Sequence, residues 1–265
     1  MHPHLNIAVS AARAAGRVIM RHFNQVEQLT IKAKSRNDFV TEVDHTAERE
    51  IVQVIRRAHP DHAILAEEGG ADGHSEFVWI IDPLDGTTNY LHGLPQFAVS
   101  IALQHRGKLE HAVIYNPWSQ ELYTASRGDG AQLDGRRIRV SKARTLEGSL
   151  IGTGFPFRQN QNLDSYLPML RHVMENTAGV RRAGSAALDL AYVAAGRLDG
   201  FWEFGLQPWD MAAGILLISE AGGRISDLAS DDKDPLKTGN ILCGSPKIFE
   251  ALATALRPLL RSANM

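Results

Sequence analysis

Cysteine, long apolar runs and a marked excess of one charge are all scarce in this chain of 265 residues. Cys243 is the only cysteine, so no intramolecular disulfide can form, which fits a reducing compartment. No apolar stretch approaches the ~20 residues that span a bilayer. The N-terminus also lacks the basic start and apolar block of a signal peptide. These absences predict a soluble, cytoplasmic protein without a membrane partner, in which Cys243 belongs to the core.

The charge balance speaks against a generally basic nucleic-acid-binding surface. The formal net charge is -2 and the pI is about 6.6, so we expect no strong unaided binding to nucleic acid. The densest basic stretch is interpreted as a solvated hairpin face; it contains Arg136, Arg137, Arg139, Lys142 and Arg144. The eleven histidines are scattered along the sequence, and none of their spacings indicates a zinc-type cluster.

Size and periodicity predict a mixed protein of two closely packed lobes, residues 1–146 and 147–265. The first lobe has helical patterns over 5–23 and 44–59, the second opening with Asp44, a good N-cap residue. A mainly antiparallel sheet is predicted between them and residue 146, from apolar runs at 63–66, 77–81, 97–103, 109–115 and 121–126. Turn residues follow at 128–130 and 134–135.

In the second lobe, strand and helix patterns alternate. Strands are predicted over 150–153, 198–203 and 241–243, and helices over 163–176, 185–195, 208–221 and onward from Pro246. This order indicates an α/β lobe.

The stretch Trp79-Ile80-Ile81-Asp82-Pro83-Leu84-Asp85-Gly86-Thr87-Thr88-Asn89 carries the strongest chemical signal. An apolar strand delivers Asp82 to its end, where Pro83 forces a bend. Two carboxylates three residues apart on such a bend can converge on one cation or on a pair. Mg²⁺ takes oxygen ligands at ~2.0–2.1 Å, and the bend exposes the Leu84 carbonyl as a neutral one. Gly86 then lets a phosphate approach the free N–H groups of a short helix.

Further acids occur where other elements begin or end. Glu67 and Glu68 follow the strand pattern at 63–66, and Asp210 opens a helix in the second lobe. A metal held from both lobes would lie in the cleft between them. Each feature also has a structural explanation: a turn at 82–86, a solvated loop at 67–68, a dipole-favoured acid at Asp210 and a helix cap at Asp44. His92, near the loop, is interpreted as a surface residue.

Taken together, these motifs resemble the signature of the inositol monophosphatase family of lithium-sensitive, metal-dependent phosphatases. The resemblance rests on Glu67-Glu68, on 82–89 and on Trp209-Asp210-x-Ala212, in matching order and spacing across nearly the whole chain. It implies an α/β (α+β) fold, a layered αβαβα sandwich. It also implies hydrolysis of a small phosphomonoester, most often myo-inositol 1-phosphate. Fructose-1,6-bisphosphatase, 3′,5′-bisphosphate nucleotidase and histidinol phosphatase stay open as alternatives.

The resemblance further implies roles for individual residues. Two to three Mg²⁺ ions are expected: Glu67, Asp82 and the Leu84 carbonyl would hold the first, and Asp82, Asp85 and Asp210 the second, with Glu67 assisting a third. Thr87, hydrogen-bonded to Asp44, would activate the attacking water. Substrate contacts are expected from Gly86, Thr87, Gly184, Ser185, Ala186, Glu203 and Asp210. Lys34 resembles a loop lysine of the family, in a loop one residue shorter than in animal members.

Bacterial SuhB-type members of the family are the most similar in detail. The matching segments are Met1-His2-Pro3, 5–8, 153–157 and 184–192. The resemblance implies a homodimer or a monomer–dimer equilibrium. The likeness to SuhB-type members also implies a second role with RNA polymerase and Nus factors in ribosomal RNA transcription, as an antitermination factor. Arg181 and Arg182 fit the dimer, a salt bridge or the substrate equally well.

Overall fold

The computed structural model describes residues 2–23, 31–35, 38–156 and 163–262, which form eight helices and fifteen strands. The helices are α1 Pro3–Phe23, α2 Glu42–Ala58, α3 Thr87–Leu91, α4 Leu163–Asn176, α5 Ala186–Ala194, α6 Pro208–Glu220, α7 Pro235–Thr238 and α8 Pro246–Ser262. The strands are β1 Ile31–Ser35, β2 Asp38–Thr41, β3 Ala63–Ala66, β4 Gly70–Asp72, β5 Phe77–Asp85, β6 Ala98–His105, β7 Lys108–Asn116, β8 Glu121–Ser126, β9 Gly130–Leu133, β10 Arg136–Arg137, β11 Leu150–Thr153, β12 Gly179–Arg181, β13 Gly200–Glu203, β14 Arg224–Ser226 and β15 Ile241–Gly244.

Two sheets form the frame of the molecule. The eight-stranded sheet has the order β10-β9-β8-β7-β6-β5-β3-β4, and only its β3–β5 pair is parallel. The five-stranded sheet has the order β12-β11-β13-β15-β14, with β11 parallel to both of its neighbours. The predicted antiparallel middle region is confirmed. The sequence pattern missed seven strands of two to five residues: β1, β2, β4, β9, β10, β12 and β14.

Alternating residues on the large sheet bury their side chains in two different cores. Trp79 and Ile81 of β5 pack against α1 and α2 with Ile19 and Ile51. Ile80, between them, faces the other side and packs with residues of α5 and α6. That second core also contains Phe201 and Cys243 of the small sheet. Period-two burial thus places one helical pair on each face of the large sheet.

The outer face of the small sheet packs against α4 and α8. Met169 and Val173 of α4 and Ile248 of α8 are buried with Trp202 and Leu242. The layer order is therefore α1/α2, large sheet, α5/α6, small sheet, α4/α8, which confirms the predicted αβαβα sandwich. Because the α5/α6 core joins both sheets, the halves share one interior; a lobe boundary at 146 stays a prediction.

The start of α2 differs from the sequence expectation. Thr41, and not Asp44, is the N-cap: its hydroxyl accepts from the Val43 N–H at 3.1 Å. Asp44 is the third helical residue, and its carboxylate accepts from the Thr41 N–H at 2.8 Å. This reciprocal pair is a capping box, which satisfies two donors that the helix itself leaves open. Asp44 is thereby buried rather than placed at a solvated helix end.

Pro83 also behaves differently from the expectation. The strand β5 does not end there but continues to Asp85. Its register against β6 shifts between Asp82, which pairs with Ser100, and Asp85, which pairs with Ala98. Pro83 has no N–H to give to a ladder, so it occupies an irregularity where one is not needed. The expected bend is a bulge inside the strand.

Of the remaining sequence expectations, some are confirmed and one is wrong. Cys243 is fully buried in β15, as predicted, and its thiol pKa is raised by that burial. The five cationic residues of the basic stretch are all exposed, as expected of a solvated face. None of the described helices is both long and apolar enough to cross a bilayer. The expectation of scattered histidines is wrong, because His2, His4, His59, His62 and His111, here called the histidine cluster, come together in space.

Candidate active site

A cavity of about 510 Å³ opens between the bulge of β5 and the starts of α5 and α6. Of the predicted site residues, every one except Asp44 lines it, namely Glu67, Asp82, Leu84, Asp85, Gly86, Thr87, Gly184, Ser185, Ala186, Glu203 and Asp210. Residues from both sides of position 146 therefore meet in one cavity, here called the acidic cleft.

Three carboxylates dominate the acidic cleft. One oxygen from each of Asp82, Asp85 and Asp210 lies within 4.8 Å of the others. Burial, followed by the charges of Glu67, Asp85 and Asp210, raises the pKa of Asp82 well above its usual range. Burial raises the pKa of Asp85 to about 6, against the opposing effect of its hydrogen bonds. A cation between these groups would relieve both the repulsion and the desolvation.

Backbone and hydroxyl donors fix the two aspartates of β5. The Leu84 N–H donates to Oδ1 of Asp82 at 2.9 Å. The Ser185 hydroxyl and the Ala187 N–H, the latter at 2.8 Å, both donate to Oδ2 of Asp85. Ser185 is also the N-cap of α5. Asp85 thus joins β5 directly to the first turn of α5.

Asp210 reaches the cleft because of how α6 begins. Pro208 occupies the first helical turn, and Asp210 is the third residue of a capping box with Gln207, whose N–H it accepts at 2.7 Å. The Ser100 hydroxyl of β6 donates to the Trp209 carbonyl at 3.0 Å. That contact ties the start of α6 to the sheet that carries Asp82 and Asp85.

The two adjacent glutamates diverge. Glu67 lines the cleft, and its N–H donates to the Ile81 carbonyl at 3.1 Å. The Glu68 N–H instead donates to Oε2 of Glu48 at 2.8 Å, and the Glu68 carboxylate lies 3.9 Å from His45. Only Glu67 is therefore in a position to contribute to a metal site.

Thr87, which is partly buried and lines the cleft, is paired with Asp44, which is buried behind it. The Thr87 hydroxyl lies 3.2 Å from Oδ1 of Asp44 and 3.1 Å from the Leu84 carbonyl. Oδ2 of Asp44 accepts from the hydroxyl of Thr41 at 2.6 Å. Burial raises the pKa of Asp44, and the Thr41 hydrogen bonds oppose that rise. Asp44 does not line the cavity but holds the hydroxyl that does.

Gly86 begins the loop that closes this end of the cavity. Its φ is 93°, and a Cβ there would lie 2.7 Å from the Gln96 carbonyl oxygen. The short helix α3 starts directly after it, as predicted. Asn89 of α3 donates to the Gln96 and Ala183 carbonyls at 2.8 and 2.9 Å. A glycine is therefore required here, and the loop is bound to both neighbouring segments.

Asp189 and Gly154 are among the cavity residues that the sequence reasoning missed. Asp189 lies on α5 and is buried, and its Oδ1 has no hydrogen-bond partner among the described residues. Burial, then the charges of Glu203 and Asp85, raises its pKa well above the usual range. The sequence signal that could have indicated Asp189 as a site residue is that it is the only acidic residue in the mainly apolar helix Ala186–Ala194. At Gly154, any Cβ would collide with the Glu203 carboxylate, so glycine leaves room for that side chain.

Three residues that the sequence left open are now partly placed. Arg182 lines the cavity, and its guanidinium carbon lies 5.3 Å from the centre of the Phe155 ring. His92 is exposed, as expected, and also lines the cavity. Lys34 belongs to β1, and its side chain lies outside the described residues.

Comparison with known proteins gives one consistent result. The model of the inositol monophosphatase family matches residues 1–261. The protein called Nus factor SuhB of Pseudomonas aeruginosa is 56% identical, with 98% of each chain covered. The inositol-1-monophosphatase of Rhizobium meliloti is 49% identical over 96% of this chain and 97% of its own. A crystal structure of the extragenic suppressor protein suhB from Bartonella henselae superimposes with a TM-score of 0.93 at 47% identity, covering 97% and 99%.

Proposed function

The chain belongs to the inositol monophosphatase family, and on that basis we propose that it is a Mg²⁺-dependent phosphatase that hydrolyses myo-inositol monophosphate to myo-inositol and phosphate. The observation that carries the proposal is the meeting of Asp82, Asp85 and Asp210 within 4.8 Å in a cavity of about 510 Å³. A cavity of this size accommodates a small phosphorylated polyol.

The donor set fits Mg²⁺. All the candidate ligands are oxygen atoms, which hard cations prefer, and several of them are carboxylates. In the proposed arrangement Glu67, Asp82 and the Leu84 carbonyl hold one ion, and Asp82, Asp85 and Asp210 hold a second. Glu67 also contributes to a third. The raised pKa of buried Asp82 supports this assignment, because a bound cation would stabilise its charged form.

Bound Mg²⁺ supplies an acidified water and neutralises charge on the phosphoryl group. The chain's own residues position the reactants around it. Thr87 accepts a hydrogen bond from the attacking water while its own proton is held by Asp44, which lies 3.2 Å away. The N–H groups of Gly86 and Thr87 donate to phosphate oxygens in this proposal. Gly86 is the N-cap and Thr87 the first residue of α3, so neither N–H has a partner within the helix.

The energetics favour metal catalysis over a single general base. Enzymes accelerate phosphate-monoester hydrolysis by up to ~10²¹. A general base contributes only ~10²–10⁴. The Thr87–Asp44 pair alone therefore falls many orders of magnitude short, and the charge of the transition state has to be balanced by cations.

The polyol end of the substrate is assigned to the second half of the chain. In the proposal Glu203 and Asp210 accept hydrogen bonds from ring hydroxyls, and Gly184, Ser185 and Ala186 form the adjoining wall. Glu203 and these wall residues line the same cavity as the aspartates. Gly154 supports this role for Glu203, because a larger residue would occupy its space.

A phosphatase assay tests the main proposal. We expect release of phosphate from myo-inositol 1-phosphate in Mg²⁺, no release in EDTA, and inhibition by millimolar-scale LiCl. A panel at fixed Mg²⁺ containing fructose 1,6-bisphosphate, a 3′,5′-bisphosphate nucleotide and histidinol phosphate defines the substrate. Full activity in EDTA would exclude the metal mechanism, and preference for another panel member would reassign the substrate.

A second function is favoured by a separate observation, the 56% identity to a protein named Nus factor SuhB. We propose that this chain also joins RNA polymerase and Nus factors as a cytoplasmic antitermination factor in ribosomal RNA transcription. Asp82 lies inside the cleft and is only 1% exposed, so a partner would bind elsewhere. A pull-down with RNA polymerase and Nus proteins should capture wild type and Asp82→Asn equally; capture of neither contradicts this function.

The homodimer stays a prediction. Leu163, Leu167 and Met174 of α4 are at least half exposed, which is unusual for large apolar side chains on one helix. Light scattering across a dilution series tests the predicted homodimer, and a strictly monomeric mass at high concentration would contradict it.

A further inference from the structure

The histidine cluster brings together side chains from three separate parts of the chain. His2 and His4 lie at the start of α1, His59 and His62 flank the turn before β3, and His111 belongs to β7. Ring centres lie 4.3 Å apart for His2 and His111, 4.4 Å for His59 and His62, and 4.7 Å for His4 and His59. Five imidazoles at such distances form a concentrated set of nitrogen donors.

The cluster is remote from the acidic cleft. Phe77, at the first position of β5, stacks on His62 with ring centres 4.6 Å apart, whereas Asp82 and Asp85 lie at the far end of that strand. Likewise, His4 is in the first turn of α1, and Phe23 at its last residue contacts Tyr90 beside the cleft. At 1.5 Å per residue, the ends of this helix are about 30 Å apart.

Two overlapping histidine triads have ligand atoms close enough for one metal ion. His2, His4 and His111 form one triad, and His4, His59 and His62 the other; within each, one nitrogen per ring lies within 4.8 Å of the rest. Imidazole nitrogen suits Zn²⁺, Cu²⁺ and Ni²⁺ and does not suit Mg²⁺. The two regions of the protein therefore offer donors to different classes of metal.

Hydrogen bonds distinguish between the triads. The indole N–H of Trp79 donates to Nδ1 of His62 at 3.1 Å, so neutral His62 carries its own proton on Nε2 and has no free lone pair. Nδ1 of His111 lies 2.9 Å from the Ser126 hydroxyl oxygen, which can accept a hydrogen bond from the Nδ1–H tautomer. Nε2 of His111 then keeps its lone pair, in the arrangement that metal-binding histidines use.

Burial disfavours the protonated form of two imidazoles of the preferred triad, those of His4 and His111. Burial, followed by the charges of His2 and His4, lowers the pKa of His111 to about 4. Burial and neighbouring histidines lower the pKa of His4 as well. At neutral pH these rings are uncharged, and neutral imidazole is the form that binds metal.

We propose that His2, His4 and His111 form a second metal site, which binds a transition-metal ion of the Zn²⁺ or Ni²⁺ type independently of the Mg²⁺ site in the acidic cleft. His111 anchors the site from β7, and His4 of α1 completes it together with His2, the residue that precedes α1. Binding there would join the first turn of α1 to the large sheet. A stack of aromatic rings without metal affinity is the alternative that the experiment has to exclude.

Calorimetric titration of tag-free, metal-stripped protein with Zn²⁺ tests the site. The titration is done in the Asp82→Asn background with excess Mg²⁺, to suppress binding at the cleft carboxylates. We expect one tight equivalent whose affinity falls by at least about 10–100-fold in His4→Gln and in His111→Gln, since losing an outer-shell partner alone has that effect. Ser126→Ala, which removes such a partner, should weaken binding less than His111→Gln.

Two further variants make the result decisive. His2 is exposed, so His2→Gln cannot disrupt the core and yet should weaken Zn²⁺ binding. His74 is exposed and outside the cluster, so His74→Gln is the matched control and should bind as tightly as the parent. Equal affinity in His2→Gln, His4→Gln and His74→Gln, or no tight equivalent in the parent, would overturn the proposal. In the wild-type background, phosphatase activity of His4→Gln in Mg²⁺ should equal that of wild type, which separates this test from the proposed function.

Discussion

The acidic cleft and the histidine cluster lie at opposite ends of β5 and are opposite in chemistry. The cleft concentrates carboxylate oxygens, which are negatively charged when ionised, and the cluster concentrates imidazole nitrogens, which are neutral when deprotonated. Burial raises the pKa of Asp85 to about 6 and lowers that of His111 to about 4. In each region the low-dielectric surroundings favour the uncharged form. Burial thus destabilises the charged carboxylates of the cleft, which a cation would stabilise, and keeps the imidazoles of the cluster neutral, with lone pairs that can bind a metal.

Substitution of Asp82 in the acidic cleft should have the largest effect on activity. We expect Asp82→Asn to abolish phosphatase activity, because Asp82 is the proposed ligand that both ions would share and its negative charge would be lost to both. The fold should stay intact, since asparagine keeps the side-chain shape and removes repulsion with Glu67, Asp85 and Asp210. Steady-state kinetics and thermal unfolding in EDTA measure the two parts.

Asp61→Asn provides the control for that substitution. Asp61 is exposed in the turn before β3, far from the cavity-lining set, so its activity should equal that of wild type. Retention of more than a tenth of kcat by Asp82→Asn, or its unfolding, would contradict the bridging role.

Thr87 should give the next largest effect. Thr87→Val keeps the shape of the side chain but removes the hydroxyl that lies 3.2 Å from Asp44. We expect kcat to fall by about 100-fold, the lower end of the range for acid–base groups, with KM little changed. Thr87→Ser keeps the hydroxyl and should recover most of the activity. A similar loss in both variants would show that the methyl group, and not the hydroxyl, matters.

Gly86 tests how rigidly the cleft loop is built. Alanine at a positive φ costs about 1–2 kcal/mol, and the close approach to the Gln96 carbonyl adds about 1–3 kcal/mol of overpacking. Gly93→Ala is the matched control, because Gly93 has a φ of 70° but nothing within 4 Å of its Cβ position. Urea unfolding should therefore show a larger loss for Gly86→Ala than for Gly93→Ala. Equal losses would mean that the loop yields to the extra methyl group.

What the sequence could predict also differs between the two regions. The residues of the cleft that follow one another, from Asp82 to Thr87, could be located because their chemistry is encoded in a continuous motif on one strand and one turn. Glu67 and Asp210 could be added because each lies at the boundary of a recognisable element. Residue types and spacing indicated each candidate, and the family resemblance combined them into one site.

Features that depend on tertiary packing were not accessible in this way. The histidine cluster draws on positions 2, 4, 59, 62 and 111, and no spacing along the chain indicates that α1, the turn before β3 and β7 converge there. Asp189 was taken as part of an apolar helix, because only the packed structure shows that it faces the cavity. Asp44 was assigned as a cap because the competing hydroxyl of Thr41 is chosen by local backbone geometry.

In EDTA, the free energy of unfolding should change with pH in opposite directions for the two regions. The pKa of His111 is about 4 in the folded protein, against an ordinary value of 6.5, so between these pH values the unfolded chain binds more protons. His111 therefore contributes stability that is present above pH 6.5 and is lost as the pH falls toward 4. The pKa of Asp85 is raised from 3.8 to about 6, so the folded protein binds more protons there, and stability is lost as the pH rises.

Single substitutions separate these two contributions, each at most about 3 kcal/mol because one pKa unit corresponds to about 1.4 kcal/mol. Urea unfolding between pH 4 and 6.5 should show that His111→Gln loses less stability than wild type as the pH falls. Glutamine binds no proton in either state, so protonation at this position no longer favours the unfolded chain. Asp85→Asn should show the reverse, a smaller loss than wild type as the pH rises. Mg²⁺ should suppress only the Asp85 contribution, since it competes with protons for the carboxylate and has no preference for imidazole. Parallel curves for wild type and both variants would mean that neither group changes its pKa on folding, and the electrostatic contrast between the two ends of β5 would then be wrong.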